Sequence, residues 1–361
     1  MKKRIVVAMS GGVDSSVAAA LLQKKGYEVI GMTMCFNLVD RDRKKPACCG
    51  VQGIEDARRV CHALGVKHYV LNMQRALEKH VINEFCLEYL QGRTPNPCVR
   101  CNQWLKFNLL LAKALALDAS YLATGHYARI GKLQASGSFP AAYTLRKGKD
   151  KAKDQSYFLY RLGQAQLKHL LFPLGNYTKQ EVRELARKFQ LPVAEKVASQ
   201  EICFLPGVDY RGFLKERLGD RIGPGEVVDG SGCRLGEHKG IAFYTVGQRE
   251  GLRIAAGYPL YITGIDASKN RLIVGRQDEV FKQRFLVNDV HYVGSPLKKT
   301  VVLRVRIRYN HKEMPAAIEP AARKLTIHFT KPQFAITPGQ SAVIYDKDCL
   351  VGGGIIESVL Q

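Results

Sequence analysis

A short apolar run, Ile5-Val6-Val7-Ala8-Met9, passes without a linker into Ser10-Gly11-Gly12-Val13-Asp14-Ser15-Ser16, after which the chain reads as a helix. No other feature constrains the fold as tightly. A continuous apolar run of this length suits a strand buried on both faces of a parallel sheet. Glycines directly after such a strand let backbone N–H groups approach a bound group closely. A helix that opens there adds about half a positive charge. Together they make a phosphate cradle, to which Ser10, Ser15 and Ser16 add hydroxyl donors. The spacing is not GxxxxGK[ST], so this is no Walker loop, and it is not the GxGxxG of a dinucleotide site. The plainer alternative is a glycine turn in which Asp14 or Ser15 only caps the helix.

The rhythm beyond the loop extends the same architecture. Apolar spacing predicts a helix over residues 14–25 stopped by Gly26, a strand over 27–34, a helix over 54–64 ended by Gly65 and a strand over 68–73. A helix over 76–90 stopped by Gly92, a helix capped by Asn102 and a strand over 121–124 follow. Alternation of this kind implies an α/β fold with a doubly wound, mainly parallel sheet. Thr178 and Glu181 form a capping box ahead of one more helix, which Gln190-Leu191-Pro192 closes. After Glu201 the chain becomes glycine-rich, and from about Gln283 it reads as strands. Residues 303–309 place apolar side chains on one face and Arg304, Arg306 and Arg308 on the other, which suggests a small β-barrel or sandwich with one cationic face. At 361 residues more than one domain is expected. We expect an α/β domain carrying the phosphate cradle over 1–205, a small central glycine-rich domain over 206–280 and a C-terminal β-barrel over 281–361.

Lysine and arginine total 55 against 32 acidic residues, a net charge of +23. That excess is spread along the chain and points to a polyanionic partner, nucleic acid ahead of a membrane surface. No apolar run approaches the roughly 18 residues of a membrane helix, and the basic start is followed by too short a run for a signal peptide. A cytoplasmic protein is expected. Ten cysteines are too few for a disulfide scaffold at this length, so their spacing must sort them. In Arg93-Thr94-Pro95-Asn96-Pro97-Cys98-Val99-Arg100-Cys101-Asn102, two prolines stiffen a loop and Cys101 stands just before the predicted helix cap. A helix N-terminus and Arg100 would both lower the pKa of the Cys101 thiol. Cys203 follows in Ser199-Gln200-Glu201-Ile202-Cys203-Phe204. Cys61 and Cys86 fall on predicted helices and read as packing residues; Cys35 and the adjacent Cys48 and Cys49 stay open, the pair being a conceivable metal site.

SGGVDSS in this position resembles the PP-loop ATP pyrophosphatases. Adding CCG, TPNPxxxCN, ATGHYAR, KDQSYFL, SQEICF, YTVGQR and the C-terminal β region, the whole chain resembles the bacterial tRNA-specific 2-thiouridylase family. The resemblance implies a PP-loop, adenine nucleotide α-hydrolase-like fold. It implies that Ala8, Met9, Ser10, Gly11, Gly12, Val13, Asp14 and Ser15 hold ATP with Mg2+, and that Met34 and Gly125 meet the nucleotide at the sheet's carboxyl edge. It implies two acting cysteines, matching Cys101 and Cys203. The reaction implied is adenylation of the wobble-uridine 2-carbonyl of tRNA, then sulfur transfer from a persulfide on Cys203, releasing pyrophosphate and AMP. The persulfide attacks directly, or Cys101 first liberates hydrosulfide. Sulfur would arrive from an upstream persulfide carrier or cysteine desulfurase. Members often carry Asp where this chain has Cys98.

By the same resemblance Asn96, Pro97, Cys98, His126, Lys153, Asp154, Gln155, Arg308, Tyr309 and Gln340 would meet the tRNA near its anticodon. Two of these regions also have support from residue chemistry. The basic run RKGKDKAKDQ precedes Tyr157 and Phe158, which could stack on bases, and the arginine strand offers cations along one face. His126 could equally be a hydrogen-bonded loop histidine, and the lysine run a solvated hairpin. Other chemistries remain open: Cys98, Cys101 and Cys203 as ligands of an iron–sulfur cluster, or a zinc site completed by His126. So do two other functions, a PP-loop ligase that adenylates a small molecule and a non-catalytic RNA-binding protein.

Overall fold

The computed structural model describes residues 2–36, 39–40, 45–46, 51–133, 142–197, 202–205 and 209–360. Cys48, Cys49 and Ser199-Gln200-Glu201 lie outside them. The chain divides into two compact units. The first comprises residues 1–81, 98–207 and 348–351; the second comprises 82–97, 208–347 and 352–361.

The first unit is built on a five-stranded sheet. Its order is Lys67–Asn72, β2 (Glu28–Cys35), β1 (Arg4–Ala8), Tyr121–Ala123 and Leu170–Leu171, and every pairing is parallel. Ile5, Val6 and Val7 have no exposed surface, as the unbroken apolar run requires of a central strand. Helix α1 (Val13–Lys24) buries Val17, Ala18 and Ala19 in the same core, where Val182 and Ala186 of the Lys179–Lys188 helix join them. Helix α2 (Val51–Ala63) adds Ala57, Val60 and Cys61. From β1 the chain builds outward on one side through β2 and Lys67–Asn72. It then crosses over to lay Tyr121–Ala123 on the other side of β1. The carboxyl ends of β1 and Tyr121–Ala123 therefore flank the switch point, where open α/β sheets bind ligands. An antiparallel hairpin, Ala128–Leu133 with Ala142–Lys147, follows.

The second unit holds a four-stranded sheet ordered Arg234–His238, Gly225–Asp229, Arg271–Gly275, Tyr261–Asp266. Val227, Ile262, Leu272 and Val274 form its core with Ile241 and Tyr244. It also holds a six-stranded barrel, running Phe281–Tyr292, Lys324–Phe334, Met314–Ala321, Val301–Arg306, Ser341–Asp346, Cys349–Leu360 and closed by pairing of the first strand with the last. The doubly wound parallel sheet, small central sheet and C-terminal barrel are those expected.

Two helices differ from expectation. The predicted helix over 76–90 is a composite: Gln74–Leu77, a π-helical turn at Glu78–Ile82, then Asn83–Leu90. Asn102 is not a cap. The helix starts at Pro97, whose missing N–H suits a first turn, and Asn102 lies inside a π-helical stretch, Cys101–Leu110. Cys101 consequently sits a turn inside the helix, away from an N-terminal field. Arg100 turns its guanidinium to Gln103 Oε1 at 3.0 Å.

Candidate active site

The loop after β1 is drawn tight by its own hydroxyls. Ser15 Oγ accepts from the Ser10 backbone N–H at 3.2 Å and donates to Gly12 O at 3.1 Å, and Ser16 Oγ donates to Gly12 O at 2.8 Å. Gly12 stands at the helix N-cap and makes no side-chain cap bond, which leaves the first N–H groups of α1 for a ligand. Two glycines are sterically required. Gly11 takes φ +69°, and a Cβ there would stand 2.1 Å from Gly53 O. A Cβ on Gly125 would stand 2.8 Å from the Ser15 backbone nitrogen. Gly125 follows the Tyr121–Ala123 strand, so the two sides of the switch point meet backbone to backbone.

Cations that the loop motif does not contain converge on it. Lys179, the first residue of the capping-box helix, places Nζ 2.6 Å from Asp14 Oδ1. Tyr127 OH donates to the same oxygen at 2.8 Å. Burial, then the Asp14 charge, push the Tyr127 pKa far up, so the phenol remains a donor. Lys196 Nζ donates to Gly11 O at 3.0 Å and to Asp56 Oδ2 at 2.5 Å. Asp56, 2 % exposed, also accepts from Arg59 and from Gln52. Burial raises its pKa, but these partners, Lys196 first, outweigh it and hold the carboxyl below its usual range. Sequence reasoning missed Lys179, Lys196, Tyr127 and Asp56. The capping box alone held a hint, since it fixes Lys179 at a helix start.

The residues expected to hold ATP, Ala8 through Ser15, are thus together at the switch point with Gly125. Met34 lies near the carboxyl end of β2, half-buried beside Leu71 of the neighbouring strand.

The cysteines divide by exposure: Cys101 is buried, Cys203 half-buried and Cys98 exposed. Protein nevertheless crowds Cys98 closely enough that desolvation pushes its thiol pKa up, with the charge of Lys106 opposing. Among the described residues no three His, Cys, Asp or Glu side chains are placed to hold a metal ion. Cys98, Cys101, Cys203 and His126 are thus not gathered as ligands of a single ion. Cys61 and Cys86 are buried as packing residues, and burial lifts the Cys61 pKa to about 11.

The residues assigned to tRNA fall into unlike settings. His126 is buried between Phe107 and Phe172, each 5.7 Å away ring to ring, with Nδ1 2.7 Å from Thr124 Oγ1. Burial, with Lys106 assisting, holds its pKa well below the histidine range, so the ring is neutral. Asp154 is buried and accepts from the Gly148 and Ser156 backbones, and Gln155 Oε1 accepts from Tyr127 N at 3.0 Å. These two brace the strand end that presents Tyr127 to Asp14; Lys153 is exposed. Tyr157 has no exposed surface and cannot stack on a base as expected, because it fills the core beside Phe158. The arginine row is committed to its own fold. Arg306 pairs with Glu313 at 2.6 Å, Arg304 donates to Glu313 O, and Arg308 donates to Val246 O and Thr337. Beside it Tyr309 is half-buried. Gln340 Nε2 donates to Thr94 O at 3.0 Å and Pro95 O at 3.3 Å, anchoring the segment that enters Asn96 and Pro97.

Three family descriptions match the chain in order: tRNA methyl transferase HUP domain over residues 3–207, tRNA methyl transferase PRC-barrel domain over 211–276, and aminomethyltransferase beta-barrel domain over 282–356. A Thermoanaerobacter sp. (strain X514) protein named tRNA-specific 2-thiouridylase MnmA 2 is 47% identical over 367 residues, covering 100% of both chains. A Carboxydothermus hydrogenoformans protein named tRNA-specific 2-thiouridylase MnmA is 47% identical over 364 residues, covering 99% of each. One from Caldanaerobacter subterraneus, named tRNA-specific 2-thiouridylase MnmA 1, is 49% identical over 368 residues, covering 100% of each.

Proposed function

This chain belongs to the tRNA-specific 2-thiouridylase family, and on that premise we propose how its own residues carry the reaction. It is a tRNA sulfurtransferase that makes 2-thiouridine. The observation that carries the course below is the convergence of the glycine loop, Gly125, Lys179 and Lys196 at one switch point.

The open N–H groups of α1 hold the phosphates of ATP, and Lys179 and Lys196 offset their charge as pyrophosphate separates. Asp14 is the carboxylate beside the phosphates. Magnesium is commonly held by one or two carboxylates together with the phosphates themselves, and a lone Asp14 fits an ion that arrives with the nucleotide. That ion would supply charge stabilisation at the leaving pyrophosphate.

The wobble uridine leaves its stack so that its 2-carbonyl oxygen can reach the α-phosphorus. That oxygen displaces pyrophosphate and carries AMP. Cys203 bears a persulfide donated by a carrier protein or cysteine desulfurase. Its terminal sulfur attacks C2, and AMP leaves. The Cys101 thiolate then attacks the Cys203 sulfur, frees the 2-thiouridine and leaves a Cys101–Cys203 disulfide. A dithiol reductant must reset the pair. Cys98 stands where the family often has Asp; its raised pKa suits a neutral thiol that lines the base site rather than a proton acceptor.

The test combines protein, ATP, a persulfide donor and tRNA, and follows AMP release alongside mass spectrometry of tRNA nucleosides. We expect AMP only when tRNA is present, with one 2-thiouridine for each AMP. AMP formed equally without tRNA would overturn this reading in favour of a small-molecule ligase. No turnover under any condition would leave an RNA-binding protein.

A further inference from the structure

Cys98 and Cys101 form a C-x-x-C pair, and the reaction above gives sulfur chemistry to the second alone. The pair stands on the first turn of the helix that starts at Pro97 and runs on through Leu110. Both are free thiols, and they differ in access: Cys98 is exposed, whereas Cys101 keeps 8 % of its surface. Residues three apart on a helix are neighbours, with Cβ atoms about 5–6 Å apart, and a disulfide needs about 3.5–4.5 Å. A first turn can tighten by that much, because fewer intrahelical hydrogen bonds hold it than hold the interior. Cys98 and Cys101 can therefore join with little movement of the backbone.

The reaction ends with Cys101 bonded to Cys203, and a dithiol has to reach that bond. Cys101 is buried and Cys203 half-buried, so neither sulfur is openly presented. Thiol–disulfide exchange moves such a bond from one sulfur to another, by attack of a thiolate on a disulfide sulfur. We infer that Cys98 is a second resolving thiol: it attacks Cys101 Sγ, expels Cys203 and carries the disulfide to the surface as Cys98–Cys101. The proton that Cys98 loses is matched by one gained at Cys203, and no electrons enter or leave. A dithiol reductant then attacks the exposed Cys98 sulfur, expels Cys101 and departs as its own disulfide, which returns both cysteines to thiols. Two features set this direction. Crowding raises the Cys98 pKa, so Cys98 is the poorer leaving group at both steps; Cys203 leaves in the first and Cys101 in the second. The charge of Lys106 acts on the same thiol in the opposite sense and favours its thiolate for the attack. Cys203 is thus free for the next persulfide before any reductant arrives.

This inference rests on the cysteine roles proposed above, and two arms separate it from them. Trypsin leaves the three cysteines on three peptides, residues 94–100, 101–106 and 197–211, so each possible disulfide has its own mass. In the first arm the protein alone is equilibrated with oxidised and reduced dithiothreitol, alkylated and digested. Cys98–Cys101 should be the first of the three disulfides to form. In the second arm one round is run with ATP, tRNA and a persulfide donor but no reductant, and is mapped in the same way. The intact chain should end with Cys98 joined to Cys101 and with Cys203 alkylated. Cys98→Ser should end with Cys101 joined to Cys203, and dithiothreitol should reset it about tenfold more slowly than the parent. Cys98→Asp, with the residue that family members often carry, should stall in the same way. Melting curves that match the parent exclude misfolding in either variant. A Cys101–Cys203 disulfide beside alkylated Cys98 in the intact chain would overturn the inference. So would absence of Cys98–Cys101 in the first arm, equal reset rates, or iron or zinc that shields both thiols from alkylation. Thiolation that leaves no disulfide in the second arm would instead overturn the roles given to Cys101 and Cys203.

Discussion

Asp56 is a carboxylate with almost no exposed surface, and Lys196 is the main reason it can stay ionised there. Its folded pKa lies below the ordinary 3.8. Stability from this network is therefore complete above about pH 4 and is lost as pH falls through the depressed folded value. Asp56→Asn should lower stability by about 1.5 to 3 kcal/mol at pH 7, the range for hydrogen bonds to charged groups. The gap from the parent chain should close in more acidic buffer, as thermal unfolding between pH 3 and 7 would reveal. A gap that stays constant across that range would mean that Asp56 is not the titrating group. Cys203→Ser should abolish 2-thiouridine formation while tRNA affinity stays within a few-fold; lost binding would make Cys203 a structural residue. Residue chemistry was legible where it was written contiguously. Ser10 through Ser16 declare themselves because one turn needs all of them. Lys179 and Lys196 stand more than 160 positions from Gly12, and no local pattern marks a lysine that only folding brings home.

At the scale of elements, the Lys179–Lys188 helix couples stability to the site. Its cap is a complete box: Thr178 accepts from Glu181 N at 3.2 Å, and Glu181 accepts from Thr178 N at 2.6 Å. Lys179, which reaches Asp14, is the next residue. Thr178→Ala should cost about 1 kcal/mol of stability. It should also weaken ATP binding several-fold, because the first turn frays with Lys179 on it. Calorimetry with ATP checks this, and an ATP affinity unchanged beside a lowered Tm would uncouple cap from site. This box and β1 could be read in the sequence, since each depends on neighbours three or four residues apart. The π-helical stretch at Cys101–Leu110 could not. Its residues have ordinary helical periodicity, and a wider turn is set by what packs around it. That is why Asn102 looked like a cap. The arginine row was legible only in part for a related reason: alternation shows which side chains leave the barrel wall, but not that Glu313 and Thr337 are waiting for Arg306 and Arg308.

Over the whole molecule, charge and connectivity set the behaviour. Among the described residues no helix is long and apolar enough to cross a membrane. The net +23 matches a polyanionic substrate. Connectivity is less simple than three beads on a string, because residues 82–97 leave the first unit to pack in the second. There Phe85 meets Phe213 edge to face and Tyr89 stacks on Tyr210 at 5.1 Å. Arg93 donates to Glu357 O and Ile356 O at the far end of the chain. A fragment of residues 1–207 should therefore expose Phe85 and Tyr89, bind the dye ANS and melt with low cooperativity. A sharp transition without dye binding would show that the excursion is dispensable. Hydrophobic pattern pointed to the parallel sheet and to a C-terminal run of strands, barrel or sandwich, whereas the excursion is a long-range pairing that periodicity does not encode.

That excursion has a consequence during synthesis. Residues 82–97 leave the ribosome more than a hundred residues ahead of Tyr210 and Phe213. At roughly 5 to 20 residues per second, the segment waits on the order of ten seconds for its partners. Throughout that interval two aromatic rings and the segment entering the cysteine loop have no home in the nascent chain. Arg93 in turn finds Glu357 O and Ile356 O only once the last strand of the barrel has been made.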